Sequence, residues 1–340
     1  MVVDSGLFNR RWWSLLGGLV MLWVGAAVLS LKLGSVSIEW LELWALLVNP
    51  QSVSGHGDLG AVVWSLRVPR LLLGALAGGG LAVAGAVWQG VLRNPLADPY
   101  LIGASAGAAV GGALALLFGI GAGVSWALPL QAFLGSLASV AVVYRLASEP
   151  ARPLSVERLL LAGVAVSSFL SAGLSAAMVL RSESYTQLYL WLVGSLAGRG
   201  WEHLTLAAPY VLAAGLVLMA YLPRLNLMQL GQETAQSLGL DMRRDPGVVI
   251  ALASLLTAAL VAVCGMIGFV GLVIPHIARL LVGPDLRRLV PVAAVLGAVL
   301  LNIADLAART LWAPMELPVG VLTALLGAPF FLFLLARRPL

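Results

Sequence analysis

An all-α integral membrane protein of about ten transmembrane helices is the fold class this chain predicts, from three observations. Only 10% of the 340 residues are charged while 61% are hydrophobic, and a water-exposed surface cannot be built from that ratio. Apolar runs long enough to cross a hydrocarbon core of about 30 Å recur from end to end. The 20 Lys and Arg residues sit at the ends of those runs instead of gathering on one face, as topology determinants do.

The expected spans are Trp12 to Leu31, Leu71 to Leu92, Leu96 to Gly119, Leu128 to Ala147, Leu159 to Leu180, His203 to Leu222, Gly247 to Met266, Phe269 to Val282, Leu289 to Ala308 and Leu317 to Ala336. The eighth is short. An even number of spans leaves both termini on one side. With the termini inside, Lys32, Arg67, Arg70, Arg181, Arg199 and Arg309 lie outside and every other basic residue lies inside. Basic residues beside a span are retained in the cytoplasm, so both termini read as cytoplasmic. Arg10 and Arg11 before the first run resemble the start of a signal peptide, but an apolar run of about 20 residues fits a retained span better.

Spans two and three are rich in glycine, with Gly74, Gly78, Gly79, Gly80 and Gly85 in one and Gly103, Gly107, Gly111 and Gly112 in the other. Lipid supplies no hydrophobic force between helices, so small residues that let backbones touch drive association, and the third span is expected to be interior. Before it stands a polar turn, "LRNPLADPY", in which Asn94 or Asp98 can cap the helix and the prolines suit a first turn. An ordinary tight reversal accounts for the same residues.

No polar or low-complexity stretch is long enough to act as a linker, which makes residues 1–340 one transmembrane domain. The longest inner connection, Pro223 to Pro246, is expected to form short amphipathic helices broken by Gly231 and Gly239. Its neutral to acidic surface suits a protein groove better than anionic headgroups. A merely solvated loop remains the plain alternative.

Several functions are excluded or disfavoured. The net charge of +5 is dispersed over span ends, which argues against nucleic-acid binding. Cys264 is the single cysteine, so no intramolecular disulfide is possible, and it reads as a small buried apolar residue. His276 has no His, Cys or carboxylate at i+3 or i+4 and reads as structural or gating, not as a metal ligand. Membrane-depth ionisable groups are few: Asp305 and Arg309, spaced to neutralise each other on one helix face, and Glu316. An ion-coupled secondary transporter would show coupling ligands or broken helices at the midplane, and an intramembrane enzyme would show a catalytic constellation. What remains is a conduit driven from its inner loop.

Five stretches then resemble a known family: "LRVPRLLLGALAGGGLAVAGAVWQGVLRNPLADPYLIGASAGA", "ERLLLAGVAVS", "LGQETAQSLGL", "GFVGLVIPHIARLLVG" and "ELPVGVLTALLGAPFFLFLL". In this order they resemble the permease subunit of ABC importers for iron-siderophores, haem and vitamin B12. The resemblance implies no enzymatic activity and no cofactor on this chain. It implies partners instead: a second copy of the chain, two cytoplasmic ATPases carrying ATP and Mg, a periplasmic substrate-binding protein, and a place as a multi-pass protein of the bacterial inner membrane.

The resemblance also implies site residues. Leu230, Gly231, Gln232, Glu233, Thr234, Ala235, Gln236, Ser237, Leu238, Gly239 and Leu240 match the segment that couples to the ATPase. Arg67, Arg70 and Arg309 match arginines that dock the binding protein, although snorkelling to the headgroups explains such residues too. Ser155, Val156 and Glu157 match the inner gate. Val156 and Glu157 stand where vitamin B12 relatives carry hydroxyls, which weighs against that cargo. Trp191, Gly194 and Ser195 match a short helix bordering the outer gate, and an interfacial anchor is the alternative for Trp191. Ferric siderophore is the expected cargo, ahead of haem and vitamin B12.

Overall fold

The computed structural model describes residues 5–34, 37–48, 57–120, 123–124, 126–148, 154–180, 185–242 and 244–337, and among them all regular structure is helical. Arg152, Arg181, Arg243 and Arg338, counted above for orientation, lie outside the described residues. Among the described residues, seven helices are long and apolar enough to cross a membrane. Three shorter apolar ones, Ala104–Leu117, Val270–Val282 and Val319–Phe333, fall where the third, eighth and tenth spans are expected.

The helices run α1 (Ser5–Lys32), α2 (Trp40–Val48) and α3 (Gly57–Ala61), and a π-helical turn, Val62–Arg67, leads into α4 (Val68–Val91). There follow α5 (Ala104–Leu117), α6 (Ala127–Ala147), α7 (Val156–Leu180), α8 (Tyr185–Leu192) and α9 (Trp201–Gln229). The chain ends with α10 (Gln232–Ser237), α11 (Asp245–Cys264), α12 (Val270–Val282), α13 (Leu286–Thr310) and α14 (Val319–Arg337).

Glycine sets the closest approaches. A Cβ on Gly78 of α4 would fall on the Gly297 carbonyl of α13, and one on Gly297 would fall on the Gly78 carbonyl. Gly107 and Gly111 of α5 meet the carbonyls of Gly135 and Gln131 on α6 in the same way. Backbone-to-backbone packing of this kind is how helices associate where lipid replaces water. As expected, α5 is interior: Ala104, Ala108, Ala109 and Ala113 are all buried. Around these crossings one large cluster of buried side chains draws on α4, α6, α9, α11, α12 and α13.

Three expectations need correction. The third helix starts at Ala104, not Leu96, and neither Asn94 nor Asp98 caps it. Asn94 Oδ1 accepts from the Leu96 amide at 2.9 Å and Asp98 Oδ1 from the Tyr100 amide at 2.8 Å. Such Asx turns hold residues 93–103 out of a helix, because the side chain takes the amide that a helical carbonyl would need. The helix then begins after Gly103, whose φ of 84° suits glycine. Tyr100 anchors this segment by exchanging hydrogen bonds with the Ile267 backbone, 3.0 Å to its carbonyl and 3.2 Å from its amide.

The sixth span also runs on. Pro223 lies inside α9, because buried Leu222, Leu225 and Met228 continue the packed face past it to Gln229. The inner connection therefore spans only residues 230–244. Finally, Gly34 to Val63, expected to be connection only, contains α2, whose Leu43 and Leu46 bury against Val63 and Leu71.

Candidate functional site

Where α1 ends, α4 begins and α13 ends, three arginines meet. Asp305 of α13 is 2% exposed and accepts from Arg70 Nε at 3.0 and 3.1 Å and from Arg70 Nη2 at 2.8 Å. It also faces Arg309 Nε at 3.3 Å, the i to i+4 pair expected from sequence. Arg70 Nη1 reaches Glu316 at 2.8 Å. Arg309 donates to the Ser30 hydroxyl at 2.6 Å and its carbonyl at 3.1 Å. Arg67 donates to the carbonyls of Leu31 and Lys32 at 2.6 and 2.9 Å. These carbonyls lie in the last turn of α1, where helical partners run out.

Arg67 and Arg309 are each 6% exposed. In this conformation they donate to partners inside the chain and bind the ends of three helices into one rim.

The expected outer-gate residues lie at the same end. Trp191, near the end of α8, is buried, with its ring against Gly112 of α5. Gly194 has a φ of 78°, and a Cβ there would strike the Met266 carbonyl. Ser195 donates its amide to the Cys264 carbonyl at 2.9 Å, and Gly320 of α14 donates to the Gly194 carbonyl at 3.1 Å. A Cβ on Gly265 would fall on the Trp191 carbonyl, and one on Gly320 on the Val193 carbonyl. The loop after α8 is thus pinched between the end of α11 and the start of α14. Gly265 and Gly320 were not singled out from sequence, and nothing in a single chain separates them from the many glycines that only pack helices.

At the opposite end, α10 is a six-residue helix set between Gly231 and Gly239, whose φ values are 106° and 89°. Ala235 is fully buried and Leu240 is 8% exposed, so these two root the segment. Gln232 is half-buried, and Glu233, Thr234, Gln236 and Ser237 face outward. So do Leu230 and Leu238, at 59% and 56% exposed.

Clamps on both sides hold this segment, and sequence reading did not find them. Arg224 Nη1 pairs with Asp245 at 3.0 Å, and the other oxygen of Asp245 accepts the Asp241 amide at 3.2 Å. Asn226 donates to Asp285 at 2.6 Å and accepts from the Leu286 amide at 2.9 Å. Burial pushes the Asp285 carboxyl up, but hydrogen bonds from Arg287 and Asn226 outweigh that and hold it below its ordinary 3.8.

Of the expected inner-gate residues, Ser155 precedes α7 and its hydroxyl accepts the Arg158 amide at 3.4 Å, while Val156 and Glu157 open the helix with Glu157 exposed. They lie on the helix start and are brought together with neither α10 nor the Trp191 loop by any described contact.

A packed helical bundle with a rooted, outward-facing loop helix at one end and a glycine-pinched loop at the other has the parts of a transport protein. The FecCD transport family matches residues 21–337, and the chain belongs to it. It is 40% identical over 304 residues to the cobalamin import system permease protein BtuC of Halobacterium salinarum, covering 89% of this chain and 81% of that one. Against the hemin transport system permease protein HmuU of Yersinia pestis it is 39% identical over 335 residues, with 95% and 96% covered. A solved structure described as an inward-facing conformation of a metal-chelate type ABC transporter superimposes with a TM-score of 0.85 at 34% identity, over 96% of this chain and 99% of that one. The chain is accordingly a multi-pass membrane permease of a transport family.

Proposed function

We propose that this chain is the permease subunit of an ATP-driven importer in the bacterial inner membrane, carrying a ferric siderophore from a periplasmic binding protein to the cytoplasm. Two copies form the conduit, and two cytoplasmic ATPases, which hold ATP and Mg, drive it. The observation that carries this reading is α10. A helix of six residues has no stability of its own, yet here it is rooted by Ala235 and Leu240 and clamped at Asp245 and Asp285. Its exposed face, polar with Leu230 and Leu238 at the edges, offers a partner groove both hydrogen bonds and apolar contact. A push delivered there reaches α9, α11 and α13 through the clamps.

Docking of the binding protein is assigned to the Arg70 end. If Arg67, Arg70 and Arg309 take part directly, they must exchange Asp305, Glu316 and the α1 carbonyls for acidic groups of the binding protein. Trp191, Gly194 and Ser195 are assigned to the outer gate, and Ser155, Val156 and Glu157 to the inner one.

The test is reconstitution of the permease with its ATPase and binding protein in liposomes. ATP-dependent accumulation of a ferric siderophore is expected, with haemin and cobalamin competing weakly. Accumulation by the chain alone under an ion gradient would overturn the importer reading, and preferred uptake of haemin or cobalamin would reassign the cargo.

A further inference from the structure

On the α10 side, between the ends of α4, α9 and α12, lies a cavity of about 390 Å³ that the transport reading does not use. Two arginines line it, Arg93 and Arg279, with Gln89 and Gln229 as neutral wall. Among the described residues no carboxylate lines the cavity or pairs with either guanidinium. An anion entering the cavity would meet two guanidiniums and no carboxylate competing for them among the described residues. Arg93 also has a φ of 49°, a left-handed backbone that a residue with a side chain adopts at a cost and that clusters at binding sites. Its guanidinium lies beside Gly231, at the root of α10, with Nη1 3.8 Å from where a Cβ on that glycine would stand.

The surroundings are those of an amphiphile. Leu280 and Leu281, next to Arg279, are 62% and 51% exposed. A cationic pocket with an apolar wall, at the end of membrane helices, stands at headgroup depth, where basic pockets between helices take anionic lipid. A small soluble anion would have no use for the apolar wall.

We propose that this cavity binds the phosphate of an anionic phospholipid, its phosphodiester reached by Arg93 and Arg279 and an acyl chain over the exposed Leu280 and Leu281. Guanidinium forks match phosphate oxygens in geometry as well as charge. Because Arg93 lies beside Gly231, an occupied site holds the root of α10 in place.

The probe is dioleoyl-phosphatidylglycerol against dioleoyl-phosphatidylcholine, titrated onto the full-length permease in neutral detergent and read by native mass spectrometry. With each arginine near the surface contributing about fivefold, the anionic lipid is expected to bind about 30-fold more tightly. R93Q/R279Q is expected to bring the two lipids close to parity, and R93K/R279K to retain most of the preference. If the double glutamine variant does not fold, each single glutamine exchange is expected to lower the preference about fivefold. An unchanged preference in the glutamine variants overturns the proposal. So does release of the lipid by millimolar inorganic phosphate, which would mark a soluble phosphate site. Loss of ATPase-subunit binding in R93Q/R279Q, with the lipid preference unchanged, would give the arginines to a partner carboxylate instead.

Discussion

Asp305→Ala tests whether the buried rim holds the α1, α4 and α13 ends together. The substitution removes a carboxylate within ion-pair distance of both Arg70 and Arg309, and its side chain is 3% exposed against 11% and 6% for the two arginines. Removing one partner of a buried ion pair costs roughly 3–5 kcal/mol, because the other charge stays behind in a poor solvent. Arg70 keeps Glu316 at 2.8 Å and Arg309 keeps Ser30 at 2.6 Å, which places the expected loss near the lower limit, about 3 kcal/mol. Glu316→Gln is the control: that side chain is 34% exposed, and its pair is worth at most about 1 kcal/mol. Asp305→Asn, which keeps the shape and drops the charge, is expected between the two. The assay is unfolding of the purified permease in mixed micelles with rising dodecyl sulfate, followed by circular dichroism. An Asp305→Ala loss no larger than that of Glu316→Gln would refute the reasoning.

Replacing Glu233 and Gln236 with leucine is expected to leave ATP hydrolysis running while uptake falls, since both face outward on α10; normal coupling in that variant would remove α10 from the partner surface. Gly320→Ala drives a methyl onto the Val193 carbonyl and is expected to cost about 1–3 kcal/mol in the same micelle assay, since backbone cannot step aside. Gly215→Ala on α9, with nothing within 4 Å, is expected to be neutral or to stabilise by up to about 1 kcal/mol, and equal effects would deny the pinch. For Asp285, a carboxyl held below its ordinary 3.8 contributes stability above that value and loses it as pH falls through the folded one. Asp285→Asn is therefore expected to cost about 0.5–1 kcal/mol at neutral pH and to converge with the parent as acid protonates the carboxyl; a gap that does not narrow at all as pH falls would show that the charge is not what matters.

How much was legible follows from the kind of signal each part carries. Spans are written in hydropathy, a property of single residues summed over a window, so the helices stand close to their expected positions. Glycine steps also survive the passage to three dimensions, since Gly78 and Gly107 have one use at a helix crossing. The Asp305–Arg309 pair was legible because it is local. Arg70 was not placed against Asp305, 235 positions away, nor Asn226 against Asp285, 59 away: long-range polar pairs leave no periodicity. The start of the third helix was missed for a different reason. Hydropathy does not see that Asn94 and Asp98 can take the amides of Leu96 and Tyr100, and local side-chain competition ended the run before composition did.

The pinch at Gly194, Gly265 and Gly320 has a consequence for how such a loop can travel. Its three junctions are peptide against peptide, like dovetails cut without glue, and no rotamer change can loosen them. Whatever moves the loop must carry the end of α11 and the start of α14 with it as solid pieces. Widening the passage for a bulkier cargo by trimming side chains would therefore fail here, because at these joints there are none left to trim.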